Sequence, residues 1–326
     1  MKHLSILLPE GQVNLMKIVG SRELFEVANY YYTSIGREPL FKIQFVGCTE
    51  RHDFISGFLS IQPEAYFKDI EKTDLIIIPA IDDALEEVIN ENQELIDWIT
   101  KQYKEGAQIA SLCTGAFLLA ATGLLNKKLC TTHWWAADMF QKMFPKVKLV
   151  PEKIITDEKG IYTSAGSFSS FNLLLHIIEK HYGRETAIAC AKGLELDMDR
   201  NSQSPFIVFS GQKEHADEEI KNAQEFIENN VGEKISVESL AMKFAIGKRN
   251  FERRFKKATH NTPVEYIQRV KVEAAKKRLE ISRKTVTEVM YEVGYSDTKA
   301  FRTVFKKIAG LSPVEYRIKY NKEAVV

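Results

Sequence analysis

The chain has 326 residues, 27% of them charged, and its 45 Lys+Arg nearly balance 44 Asp+Glu to leave a formal net charge of +1. That length allows two domains with separate cores, and so even a balance excludes no class of partner until it is divided along the chain. No apolar run is long enough to span a membrane, and the first residues (MKHLSILLPEGQV) lack the length and cleavage pattern of a signal peptide, so a cytoplasmic protein is expected. Cys48, Cys113, Cys130 and Cys190 show no paired spacing, so no disulfide framework, metal or other cofactor is expected.

Up to about Leu196 the pattern alternates between strand and helix. Residues 4–8 form a short apolar strand ending at Pro9, 15–32 have helical spacing, and 41–46 alternate as a strand. The run 75–78, bounded by Asp74 and Pro79, reads as a strand buried on both faces. A helix over 85–105, a strand over 108–112, a helix over 116–123, a short strand over 128–132 and a helix over 168–182 follow. This order implies an α/β fold, a flavodoxin-like mostly parallel sheet with helices on both faces, whose ligands sit beyond the carboxyl ends of the strands.

Cys113 falls at that end. Strand, cysteine, a small turn (Thr114-Gly115) and then helix is the layout of a nucleophile elbow, where a following helix N-terminus would stabilise a thiolate. Twenty residues on, His133 stands after Thr131-Thr132 and before Trp134-Trp135. The blander readings are an inert buried thiol and a packed, satisfied imidazole.

These residues, with the turn Thr163-Ser164-Ala165-Gly166, resemble the PfpI-like branch of the class I glutamine amidotransferase-like superfamily. The resemblance implies a catalytic cysteine partnered either by a late His-x-Glu or by a glutamate shortly after the first strand. The later histidines read His133-Trp134-Trp135, His176-Ile177-Ile178 and His181-Tyr182-Gly183, and counting from Gly11 puts the early position at about Met16, with Glu10 on the wrong side of the turn. The acid is therefore absent, so no enzyme is expected. Cys113 and His133 become vestigial, and Cys113, Thr114 and His133 are expected to line a pocket for a small-molecule effector. The competing reading is a cysteine-dependent hydrolase or aldehyde-processing enzyme fused to a DNA tether.

The apolar residues 206–209 give way to a polar stretch, 210–217, expected to be a linker between domains at 1–209 and 218–326. Residues 217–326 hold 23 Lys+Arg against 16 Asp+Glu, a net of +7, which leaves the rest of the chain at −6. A basic end on an acidic body is the asymmetry of a nucleic-acid module joined to something else.

That end contains one half-unit written twice. With Glu238 laid on Glu288 at an offset of 50 and no gap, Phe251-x3-Phe255-Lys256-Lys257 meets Phe301-x3-Phe305-Lys306-Lys307, and Pro263-Val264-Glu265-Tyr266 meets Pro313-Val314-Glu315-Tyr316. Each copy, about 235–258 and 285–308, reads as two short helices around a tight turn. Gly247 is expected to take the strained turn conformation in the first, and Asp297 to cap the second helix of the second. The duplicated segment and its closing run Gly310-Leu311-Ser312-Pro313-Val314-Glu315-Tyr316-Arg317 resemble the DNA-binding domain of AraC-family transcription regulators, an all-α domain with two helix-turn-helix units joined by a long helix, here 263–281.

The resemblance implies a regulator of double-stranded DNA, acting as a homodimer, with each second helix in a major groove. Arg249, Glu252 and Arg253 in one unit and Lys299, Arg302 and Thr303 in the other face outward and are expected to contact bases; Lys248, Lys256 and Lys306 are expected to hold phosphates. Gly247 stands where the family often has a hydroxyl cap. Ligand binding in the first domain is expected to change the spacing at which the reading helices meet DNA.

Overall fold

The structure is a computed structural model that describes residues 1–54, 57–82 and 84–321. It divides into two compact units, Met1–Gln203 and Ser204–Val326. Among the described residues no helix is long and apolar enough to cross a membrane.

The first unit runs β1 (Lys2–Leu8), α1 (Leu15–Ser34), β2 (Phe41–Gly47), β3 (His52–Phe54), β4 (Leu59–Ile61), β5 (Ala65–Tyr66), β6 (Leu75–Ile78), α2 (Leu85–Glu91), α3 (Gln93–Lys104), β7 (Gln108–Ser111) and α4 (Ala116–Ala121). It continues through β8 (Leu129–Cys130), α5 (Ala137–Met143), β9 (Lys148–Leu149), β10 (Ile155–Glu158), β11 (Ile161–Ser164), α6 (Ser169–Tyr182) and α7 (Arg184–Gly193). Seven strands make one sheet in the order β10-β11-β7-β6-β1-β2-β5, with every neighbouring pair parallel except β10 on β11.

Alternation along the central strands feeds two cores. Leu4, Ile6, Leu75 and Ile77 pack with α1, α6 and α7 on one face, while Leu7, Ile76 and Ile78 pack with α3, α4 and α5 on the other. All four residues of β6 are therefore buried, as its apolar run requires. The helix expected over 85–105 is two helices. Asn92 breaks it because its buried amide serves the chain at Glu10: Oδ1 accepts from the Glu10 N–H at 2.9 Å, while Nδ2 donates to Glu10 O at 3.1 Å and Val88 O at 2.7 Å.

The second unit is all helical: α8 (Glu218–Asn229), α9 (Val237–Lys243), α10 (Lys248–Thr259), α11 (Pro263–Ile281), α12 (Val286–Glu292), α13 (Thr298–Ala309) and α14 (Pro313–Tyr320). The long joining helix α11 serves two cores, giving Tyr266, Ile267 and Val270 to the one with α8–α10 and Val272, Ala275 and Leu279 to the one with α12–α14. Lys271 lies between them, 6% exposed, and its ammonium donates at 2.8 Å to each of the carbonyls of Val231, Glu233 and Val293. All three ammonium protons are thus satisfied by backbone oxygens, two on one side of the joining helix and one at the end of α12.

The duplication is visible in side-chain geometry. Phe251–Phe255 and Phe301–Phe305 have ring centroids 5.6 and 5.7 Å apart, and Phe255–Tyr266 and Phe305–Tyr316 stand edge to face at 5.3 and 5.6 Å. The register without a gap does not hold throughout. In the first helices the N-caps are Ser236 and Thr285, and the left-handed turn residues are Ala245 (φ 50°) and Gly294 (φ 74°), an offset one shorter than that of the reading helices. Ser296 is the inserted residue. Ala245 rather than Gly247 therefore carries the strained conformation, and Gly247 sits in extended backbone at φ −59° and ψ 136°.

The stretch expected as a linker is packed onto the second unit. Gln212 O accepts from Gln224 Nε2 at 2.9 Å and Gln212 Oε1 accepts from Asn261 Nδ2 at 3.1 Å, and Phe209, just before the stretch and assigned by sequence to the first domain, meets Tyr266 edge to face at 5.2 Å. Sequence composition marks residues that solvent tolerates, and it cannot show that their amides find partners in a neighbouring helix.

Candidate nucleic-acid interface and the cysteine elbow

Both reading helices bury one stripe, flanked by half-buried residues such as Ala258, Val304 and Ile308, and expose the opposite face. In α10 only Phe251, Phe255 and Thr259 are buried, and in α13 only Phe301, Phe305 and Ala309. Arg249, Glu252, Arg253, Lys299, Arg302 and Thr303 are all exposed, as are Lys248, Lys256 and Lys306. Asp297 caps α13 by accepting from Ala300 N at 2.6 Å, whereas α10 starts at Gly247 with no side-chain cap. Lys248 forms an exposed ion pair with Glu238, and Arg253 donates to Asn250 Oδ1 at 2.8 Å. Thr303 donates to Lys299 O at 2.8 Å, leaving its lone pairs outward. Arg254, on α10, pairs with Asp217 and Glu219, both at 2.6 Å. The arrangement presents two short helix faces rich in cations, each packed on its own core, with α11 shared between the two.

In the first unit β7 delivers Cys113 at φ 57°, left-handed for a side chain that disfavours it. Close packing holds this bend. A Cβ on Gly115 would lie 2.4 Å from Pro79 O, so only glycine lets the turn approach β6. Thr114 donates to Ile81 O at 2.6 Å and accepts from Ile81 N at 2.9 Å, and Thr132 Oγ1 donates to Cys113 O at 2.9 Å. With its hydroxyl so committed and 1% exposed, Thr114 braces the elbow rather than facing a ligand.

Cys113 is 7% exposed, and burial pushes its thiol above the ordinary range; hydrogen bonds from the Ser167 and Thr114 amides and the charge of Lys17 act the other way and are weaker. The thiolate expected from a helix N-terminus is therefore not favoured. Only the short helix α4 follows, after a 3-10 turn.

The residue that sequence reasoning missed is Lys17. Met16, where an acid was sought, is 41% exposed, whereas Lys17 is 2% exposed and donates to Ser167 O, with its ammonium 5.3 Å from the centre of the Phe171 ring. Burial lowers its pKa, opposed by the charges of Cys113 and Asp82. The signal was present: Lys17, Ser21, Leu24 and Ala28 form one helical stripe, and all are buried. His133 belongs to the same corner. Its ring lies on Gly166, where a Cβ would come within 1.8 Å, and Nδ1 accepts from Trp135 N at 3.3 Å. Burial first, and then Lys17, depress its pKa to about 4. The structure thus gathers Cys113, His133 and Lys17 around one point, with all three protonation equilibria pushed toward the neutral form by burial.

An α/β unit carrying a cysteine elbow, followed by a duplicated helix-turn-helix unit, defines a DNA-binding transcription regulator. Residues 7–180 match the DJ-1/PfpI family and residues 240–319 match a helix-turn-helix domain. The chain belongs to the DJ-1/PfpI family, and its second unit is a DNA-binding domain of the AraC type. It is 25% identical to the HTH-type transcriptional regulator GbdR of Pseudomonas aeruginosa, over 86% of this chain and 76% of that one. It is 23% identical to the HTH-type transcriptional regulator CdhR of the same species, over 96% and 90%. A crystal structure from Vibrio parahaemolyticus, described as a candidate transcriptional regulator, matches with a TM-score of 0.53 and 27% identity, covering 60% of this chain and 99% of that one.

Proposed function

We propose that the protein is a cytoplasmic, homodimeric regulator whose first unit senses a small metabolite and performs no chemistry. Lys17 carries the argument. Thiol catalysis needs a group that takes the thiol proton, and the buried residue beside the place where the early glutamate was sought is a lysine whose amine is engaged as a donor to Ser167 O, not a carboxylate. His133 is no substitute, since its Nδ1 already accepts from Trp135 N and its ring is held against Gly166. Cys113, His133 and Lys17 then form the wall of a sensing site, and Thr114 is its brace.

On the DNA side, Arg249, Glu252, Arg253, Lys299, Arg302 and Thr303 contact bases, and Lys248, Lys256 and Lys306 hold phosphates. Exposure of all nine supports that reading. The exposed apolar side chains of Met16 (41%), Val19 (47%) and Phe168 (61%) support a second copy on this face of the first unit.

The test is DNA binding by the full-length protein to its own upstream region, across a salt titration and with a metabolite panel, alongside light scattering for the oligomer. A steep salt slope, with a sequence preference that one compound shifts, is the expected result. Turnover of any thioester, amide or aldehyde that disappears in Cys113→Ser would sink the non-catalytic reading.

A further inference from the structure

The first unit holds a cavity of about 320 Å³ away from the elbow, between β10, the outer face of α6, the start of α7 and the segment 198–201. Its size lies at the lower end of small-molecule sites. The lining mixes apolar Ile154, Leu175 and Met198 with polar Asn172, His176 and Asn201, and it carries Lys153, Arg184 and Arg200 against a single acid, Glu179. Glu179 is already paired with Arg184 at 2.7 Å, which leaves most of that guanidinium's donors available. Asp157 nearby is taken by His176 and Lys180, each at 2.8 Å. Lys153 is exposed and makes no ion pair among the described residues.

Three cations against one acid, with apolar side chains between them, select one ligand chemistry. We infer that this cavity binds a small organic anion, a carboxylate on an apolar body, and that the bound anion ties the segment 198–201 to α6 and α7. That segment matters because it runs into the last residues of the unit. Ser202 bridges Lys153 in antiparallel fashion, its hydroxyl donates to Glu152 O at 2.9 Å, and Gln203 N donates to the same carbonyl at 3.0 Å. The second unit begins at the next residue, Ser204. An anion held by Arg184 on one wall and Arg200 on the other therefore fixes the strand of chain that enters the DNA-binding unit.

The experiment is calorimetric titration of the full-length protein with phenylacetate, its neutral amide phenylacetamide and inorganic phosphate, repeated in Lys153→Gln, Arg200→Gln and the elbow variant Lys17→Met. Saturable phenylacetate binding is expected, at least about tenfold tighter than the amide and weakened about tenfold or more by Arg200→Gln and by Lys153→Gln, as loss of a charge-assisted hydrogen bond implies. Lys17→Met should leave it unchanged. Lys153→Gln alters an exposed side chain, so its loss of binding is not a loss of folding. Absence of binding, phosphate binding as tightly as phenylacetate, or binding that survives both Lys153→Gln and Arg200→Gln would overturn the proposal. Binding lost only in Lys17→Met would also overturn it, and would move the ligand to the elbow while leaving the sensing function intact.

Discussion

Gln203 Nε2 donates to Thr132 O at 2.9 Å, while the Thr132 hydroxyl donates to Cys113 O at 2.9 Å. Two hydrogen bonds thus join the elbow to the last residue of the first unit. The same amide nitrogen also reaches Pro151 O at 2.6 Å. Replacing Gln203 with Leu leaves both carbonyls without this donor in a buried setting. The expected cost is about 1–3 kcal/mol for the first unit, read as a lower urea midpoint at unchanged m-value. DNA affinity without effector should stay as it was, and any response to effector should shrink.

The two turns make opposite demands. Ala245 holds φ 50°, where a Cβ is strained, so Ala245→Gly should stabilise the second unit by up to about 1 kcal/mol. A Cβ on Gly294 would lie 2.5 Å from Lys271 Nζ and 2.7 Å from Gly232 O. Gly294→Ala should therefore destabilise by about 2 kcal/mol or more, since strain and collision add. Thermal melts of the two single variants suffice to check both signs.

Arg253→Ala should relax sequence preference at its base position by about 1–3 kcal/mol. Lys306→Ala should weaken binding to all sequences alike and reduce the magnitude of the salt slope by about one. Equal loss of preference from both would count against the division of roles.

His133 supplies a pH dependence. Burial depresses its folded pKa to about 4, against about 6.5 in an unfolded chain. Between these values the unfolded chain holds a proton that the folded one does not. Stability is therefore complete above about pH 6.5 and is lost as pH falls toward 4. His181, depressed to about 4 by burial and then by Lys2, acts in the same direction. Urea midpoints from about pH 7 to 4 should slope less steeply in His133→Gln than in the parent, without becoming flat.

Sequence carried the helical unit further than the α/β unit. Phe251, Phe255 and their partners at 301 and 305 announce a repeat because burial at fixed spacing repeats with them. The one-residue shift was hidden because Glu238 and Glu288 match in type while occupying different helix positions; Glu288 is the residue that closes a capping box and Ser239 is its counterpart. At the elbow, Cys113 and His133 were legible from their place beside strands. Lys17 was harder to read: its place on the stripe with Ser21, Leu24 and Ala28 marks the buried face, but a lysine in a helix ordinarily faces water, and the packed structure shows its amine reaching Ser167 O. Asn92 escaped for a similar reason, since its partner at Glu10 is distant in sequence.

Lys271 fixes the distance between the reading helices by seizing backbone from both halves of the second unit at once. On the proposed DNA contacts, one chain would then grip two grooves as by a set caliper. Inserting or deleting a base pair between the two boxes of a half-site turns one box about 35° around the duplex and forfeits its contacts. Spacing that varies from one operator to another must be accommodated outside the two helix-turn-helix units of one chain.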